Sequence, residues 1–215
     1  MDEQAFRPTR PAAARLPGVA DALPEILVAD ADSWRSWLST HHGDDGVWLV
    51  LAKKNVTEPT SLTYDQALEE ALCHGWIDGQ VRRRDASTFR QRFTPRRARS
   101  SWSKRNVEIL ERLLADGRVQ PAGLAAVADA KASGRWEAAY PGSASIEIPE
   151  DLAAALAAAP DAQATFDTLT AQNRYAMLYR IHEARRSDTR ARRIESFVAM
   201  LARGETIHPQ RRSGR

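Results

Sequence analysis

Apolar positions along this chain recur at two periods, and the change from one to the other divides it. Before about residue 100, short runs at strand spacing alternate with helical stripes; from Trp102 onward the pattern is helical throughout. Glu25 to Val28 reads as a short strand. A helix is predicted from Ser33 to His41, capped by Asp30 or Asp32, with Trp34, Trp37, Leu38 and His41 facing inward and Gly43 beyond its end. Val47 to Ala52 is an unbroken apolar run after the turn residues Asp44-Asp45-Gly46, the pattern of a strand covered on both faces.

A second helix is predicted from Tyr64 to Ile77. Thr63 and Gln66 make a capping box, Asp65 suits the first turn, and Tyr64, Leu68, Ala71, Leu72, Gly75 and Trp76 form the inward stripe, with Gly79 as the stop. Gln80 to Arg84, a turn at Asp85-Ala86-Ser87, and Thr88 to Thr94 then read as a hairpin. Its second strand puts Phe89, Gln91 and Phe93 on one face and Arg90 and Arg92 on the other. These elements imply an α+β N-terminal half, a small, mostly antiparallel sheet with packed helices, followed by an all-helical C-terminal half. There Val107, Leu110, Leu113 and Leu114 line a helix ended by Gly117. Further helices are expected at Pro121 to Ala132, Glu150 to Ala159, Asp161 to Leu169, Ala171 to Arg185 and Asp188 to Arg203, the last capped by Ser187.

Proline placement and the loss of periodicity suggest a flexible arm over residues 1–24, an α+β domain with a helical extension over 25–140, a linker over 141–149, a helical module over 150–204 and a disordered tail over 205–215. Apolar runs of about 18 residues are missing, and the first residues lack the apolar core of a signal peptide, so no membrane insertion and a cytoplasmic location are expected. Cys73 is the only cysteine, which excludes an internal disulfide and a cysteine-based metal cluster. It is read as a buried structural thiol.

Charge changes the picture more than composition does. Behind a net charge of +3, residues 82–105 hold 10 basic side chains against 1 acidic one, between two acidic segments. Arg82, Arg84, Arg90, Arg92, Arg96, Arg97, Arg99, Lys104 and Arg105 form a ribbon suited to binding anions, with Trp102 available to stack. A phosphate-bearing ligand or nucleic acid is the implied partner; the competing reading is that the acidic segments neutralise the ribbon internally. Glu70, His74 and Asp78 fall at helical spacings of four, where two carboxylates can orient an imidazole as a general base. One histidine with two carboxylates is a thin ligand set, so no metal and no cofactor are assigned. Cys73 and His74 are helix neighbours pointing about 100° apart and do not form a thiol-imidazole pair. Glycine-rich phosphate loops, paired-histidine zinc motifs and nucleophile elbows are absent.

Several stretches carry a resemblance. Gly46-Val47-Trp48-Leu49-Val50, Ala71-Leu72-Cys73-His74-Gly75-Trp76-Ile77-Asp78-Gly79, and Arg92-Phe93-Thr94-Pro95-Arg96-Arg97 with Trp102-Ser103-Lys104 resemble the YdeI/OmpD-associated family, also called bacteriocin-protection proteins. Pro149-Glu150-Asp151-Leu152 and the run from Glu183 to Ile194 resemble its helical OmpD-associated module, with Ser187 departing from the proline of that pattern. The resemblance spans about residues 25–204 and implies a link to stress or bacteriocin tolerance, with no catalytic residues to transfer. The expectation is a non-enzymatic cytoplasmic protein acting through an arginine-rich anion-binding surface. One alternative is an enzyme acting near His74 on a phosphorylated or carboxylated small molecule; another is a protein-interaction module using the C-terminal helices. A deep pocket joining His74 to the arginines favours the enzyme, and an exposed arginine face favours binding.

Overall fold

A computed structural model describes residues 23–210 apart from Ala144. The expected N-terminal arm lies outside the described residues through residue 22, as does the end of the expected tail from residue 211. Two compact units make up the chain, the first ending at Arg96 and the second beginning at Arg97.

The first unit runs β1 (Glu25–Ile26), α1 (Ala31–Thr40), β2 (Val47–Ala52), α2 (Tyr64–Cys73), β3 (Trp76–Arg83) and β4 (Thr88–Pro95), with the strands in the order β1-β2-β4-β3. The expectation of a mostly antiparallel sheet is corrected: the sheet is mixed. β1 lies parallel to β2, Glu25 opposite Trp48 and Ile26 opposite Leu49, whereas β4 is antiparallel to both β2 and β3. The cause is the connection. An antiparallel neighbour can be reached by a tight turn, but the link from Leu27 to Gly46 contains all of α1, which carries the chain back to the end of the sheet where it started.

Val47 to Ala52 is buried at every position, as its apolar run demands. On one face Trp34 of α1 meets Phe93 of β4 at 5.7 Å and Trp76 of β3 at 6.4 Å between ring centroids. The Trp34 indole N–H donates to the Ala67 carbonyl at 3.1 Å, which satisfies the buried donor and ties α1 to α2. The capping box of α2 is present as read, with Thr63 and Gln66 each serving the other's backbone N–H.

The predicted end of α2 is corrected. The helix stops at Cys73, His74 is its C-cap, and Gly75 takes a φ of +73°, the left-handed conformation that ends a helix without a Cβ clash. Trp76 is buried but opens β3 rather than closing α2. The hairpin then sets Arg82 opposite Arg90 and Val81 opposite Gln91, with an irregularity between Asp78 and Val81. Gly79 lies within it, where a Cβ would come 2.9 Å from Nε of Arg92. The absent side chain is the room through which the Arg92 guanidinium passes.

The second unit is helical: α3 (Lys104–Ala115), α4 (Pro121–Ala132), α5 (Glu150–Ala157), α6 (Pro160–Asp167), α7 (Ala171–His182) and α8 (Ser187–Ala202). Ser187 is the first residue of α8 and Arg186 occupies the cap position that the sequence reading gave to Ser187. Leu152, Leu156, Phe166, Met177, Ile181 and Leu201 form the centre of the core shared by α5 to α8. Arg190 of α8 donates to both carboxylate oxygens of Asp151 at the start of α5, a fork-to-fork pair that fixes the two helices. His208 and Gln210, within the stretch expected to be a disordered tail, bond to Asn173: the His208 N–H donates to Oδ1 at 2.8 Å, and Nδ2 donates to the Gln210 side chain at 2.7 Å.

Candidate anion-binding site

Of the three residues read as a possible base and its orienting carboxylates, α2 keeps two together. Glu70 is buried, and both of its oxygens accept from Arg35, at 2.9 Å from Nε and 2.8 Å from Nη2. His74 is 5% exposed, its Nδ1 has no hydrogen-bond partner among the described residues, and its ring stacks on that of His42. Burial pushes its pKa below the ordinary imidazole value, and the charges of His42 and Arg35 act in the same direction against the opposing Glu70. Asp78 is off the helix, on β3, where it accepts from the Tyr64 hydroxyl at 2.9 Å. The early end of α2 therefore dissolves the helical spacing that suggested the triad. Among the described residues, His, Cys, Asp and Glu form no group of three or more able to hold a metal.

The arginine ribbon is divided by the unit boundary. Arg82, Arg84, Arg90, Arg92 and Arg96 belong to the first unit. Glu25 of β1 accepts from Nε of Arg84 at 2.9 Å and from Nη1 of Arg90 at 3.0 Å, and the Arg84 bond chiefly holds the Glu25 carboxyl below its usual pKa. Arg84 also donates to Asp85, whose carboxylate accepts from Ser87 and Thr88 and so builds the hairpin turn. Those bonds, that of the Thr88 hydroxyl first, hold Asp85 far below the usual carboxylate range. The guanidinium carbons of Arg82 and Arg90 sit 4.6 Å and 5.5 Å from the Trp48 ring centroid. Arg82, Arg84 and Arg90 are thus engaged by a carboxylate and an indole of the same unit, whereas Nε of Arg92 is buried without a hydrogen-bond partner among the described residues.

Arg97, Arg99, Lys104 and Arg105 belong to the second unit. Trp102, read as available for stacking, is corrected to a core residue: it is 2% exposed and lies 5.0 Å from the ring of Trp136. Arg99 lines a cavity of about 420 Å³ shared with Ser101, Ser133, Arg135, Tyr140, His182, Glu183 and Arg185. Arg135 is tethered, donating to the Ser100 carbonyl at 3.1 Å and to Ser133 Oγ at 2.9 Å, and pairing with Asp129. Arg99 and Arg185 have no carboxylate partner among the described residues. His182 is held below its ordinary pKa by burial and then by the charge of Arg185, which keeps the imidazole neutral near pH 7. On Glu183, Oε1 accepts from Ser101 Oγ at 2.9 Å and from the Tyr179 hydroxyl at 2.7 Å. Burial, reinforced by that bond, pushes the Tyr179 phenol far above its ordinary pKa, so it remains a donor.

Lys104 lines a neighbouring cavity of about 400 Å³ with Glu147, Glu150, His182 and Arg190. Sequence reasoning located Arg99 and Lys104 but missed Arg135, Arg185, His182, Glu183 and Tyr140. The available signal was the second basic block, residues 174–215 with 11 basic and 4 acidic side chains, which the ribbon's higher density overshadowed.

No curated protein and no solved structure matches the chain. Residues 26–126 match a domain of unknown function, DUF8412, so the N-terminal part of the resemblance falls to a separate family. Residues 145–204 match the family described as bacteriocin-protection, YdeI or OmpD-associated, across α5 to α8. In this segment the chain carries a module of the YdeI/OmpD-associated, bacteriocin-protection family.

Proposed function

We propose that the chain is a non-enzymatic, cytoplasmic anion-binding protein whose module of the bacteriocin-protection type serves stress or bacteriocin tolerance, and that its anion site is the cavity between Arg99 and Arg185. One observation carries this reading: two guanidinium groups without a carboxylate partner among the described residues line the same cavity, with serine hydroxyls and the His182 ring beside them. Arginine forks suit phosphate and carboxylate equally, and a cavity of this size suits a small ligand. In the first unit the comparable charges of Arg84 and Arg90 are already engaged by Glu25. The enzyme reading needs His74 in a cavity with the arginines, and the cavity described above is lined by residues of the second unit alone.

Calorimetric titration of the full chain with inorganic phosphate and pyrophosphate tests this. Each bond from arginine to a charged acceptor contributes about 1.5–3 kcal/mol, so Arg99→Ala with Arg185→Ala is expected to weaken binding by at least about a hundredfold while leaving thermal melting unchanged. Absence of binding by the parent chain, or binding that the double variant leaves intact, overturns the proposal.

A further inference from the structure

We infer that the ligand of the Arg99–Arg185 cavity is dipolar, a small molecule carrying a phosphate or carboxylate at one end and a protonated amine at the other, with Glu183 receiving the amine. The inference rests on the anion reading above and adds the second half of the ligand. Its basis is a carboxylate that an anion-only site has no use for. Glu183 lines the same cavity as Arg99 and Arg185, yet it forms no ion pair with either among the described residues. Opposite charges sharing so small a space ordinarily collapse onto one another unless something holds them apart.

Here the holding groups are visible. Ser101 Oγ and the Tyr179 hydroxyl both donate to the same oxygen, Oε1, at 2.9 Å and 2.7 Å, and so fix the carboxylate from one side. The second oxygen, Oε2, has no hydrogen-bond partner among the described residues and keeps its acceptor capacity. Tyr179 is half-buried, stacks edge-on against Tyr140 at 4.8 Å and stays protonated, so the arrangement does not depend on pH near neutrality. Arg185 follows Glu183 by two residues just past the end of α7, while Arg99 precedes α3. A cavity with separated cationic and anionic lining complements a ligand with the same separation reversed. A plain anion leaves Glu183 opposed to its charge, and a plain cation meets two arginines.

The test pairs each anion with its aminated counterpart: ethyl phosphate with O-phosphoethanolamine, and propionate with β-alanine, titrated calorimetrically into the full chain and into Glu183→Gln. Glutamine keeps an oxygen for Ser101 and Tyr179 and removes the charge. The parent chain is expected to bind the aminated member of at least one pair about tenfold more tightly, the gain of one charge-assisted bond, and the pair that shows it identifies the anionic group. In Glu183→Gln that preference is expected to vanish or invert, because the amine then faces the arginines with no carboxylate to offset them, while the plain anion binds at least as well as before. Ethyl phosphate or propionate binding without any gain from the amine overturns this inference and leaves the anion reading standing; so does a preference that survives in Glu183→Gln. Failure of all four probes to bind overturns both.

Discussion

Arg35 reaches from α1 to clasp Glu70 on α2 through two parallel hydrogen bonds, Nε to Oε2 at 2.9 Å and Nη2 to Oε1 at 2.8 Å. The pair is asymmetric: the Glu70 side chain is 4% exposed and that of Arg35 47%. Removing the arginine takes both of these bonds from a buried carboxylate, whereas removing the carboxylate leaves a guanidinium that water can reach. Arg35→Ala is therefore expected to destabilise the first unit by about 3 kcal/mol, at the low end of buried-pair losses because Arg35 is half in solvent. Glu70→Gln is expected to cost less. Urea denaturation of the two variants decides the point, and equal losses exclude the asymmetry.

The same burial sets a pH dependence at His74. Its folded pKa lies below the ordinary value, so between the two values the unfolded chain binds a proton that the folded chain does not. Stability from this group is complete above about pH 6.5, the unfolded value, and is lost as pH falls toward the folded one. Glu70 limits the shift, and His42 and Arg35 enlarge it. The urea midpoint of the parent chain is expected to fall more between pH 7.5 and 5.5 than that of His74→Gln. Parallel curves for the two chains remove His74 as the source.

What could be read from the sequence was local. The Thr63–Gln66 capping box, the fully buried run of β2 and the hairpin turn at Asp85 each depend on residues close in the chain, and each is present. The direction of β1 depends on how α1 crosses the sheet, which a two-residue strand cannot signal. The end of α2 was misplaced because Trp76 continues the stripe of Leu72, and a glycine at Gly75 fits a close helix contact as well as a left-handed cap. The cavity was only half visible. Ser101 meets Glu183 across 82 residues of sequence, so Arg99 was found inside a dense ribbon while its counterparts past the end of α7 looked like ordinary surface charge.

Trp76 offers a test of the first unit's core. Its ring is 2% exposed and lies edge-on to those of Trp34 and Trp37, at 6.4 Å and 5.7 Å. Trp76→Ala is expected to cost about 3–5 kcal/mol, since both aromatic neighbours lose contacts at once and the space cannot close fully. Val81, 63% exposed on the same strand, is the control: Val81→Ala is expected to change stability by no more than about 0.5 kcal/mol. Chemical denaturation reads both, and a Trp76→Ala midpoint matching that of Val81→Ala contradicts the core assignment.

Glu25 is expected to limit how much of the first unit's arginine charge is open to a polyanion. It engages Arg84 and Arg90 together, while Arg82 and Arg90 are drawn onto Trp48, so in the first unit charge is present but partly spent. Each phosphate contact on duplex DNA contributes about −0.9 to the slope of log K against log salt. With Glu25 in place, Arg84 and Arg90 are expected to contribute little to that slope. Glu25→Gln removes the competing charge and is expected to steepen the slope by about 1.8, the value for two added contacts, and to tighten binding at low salt. Sequence preference is expected to stay weak, because guanidinium groups that read phosphate gain little from base edges. Fluorescence anisotropy with a short labelled duplex across a salt series measures both quantities. If the parent chain and Glu25→Gln give the same slope, the two arginines are already available to phosphate and the Glu25 clamp does not govern this surface.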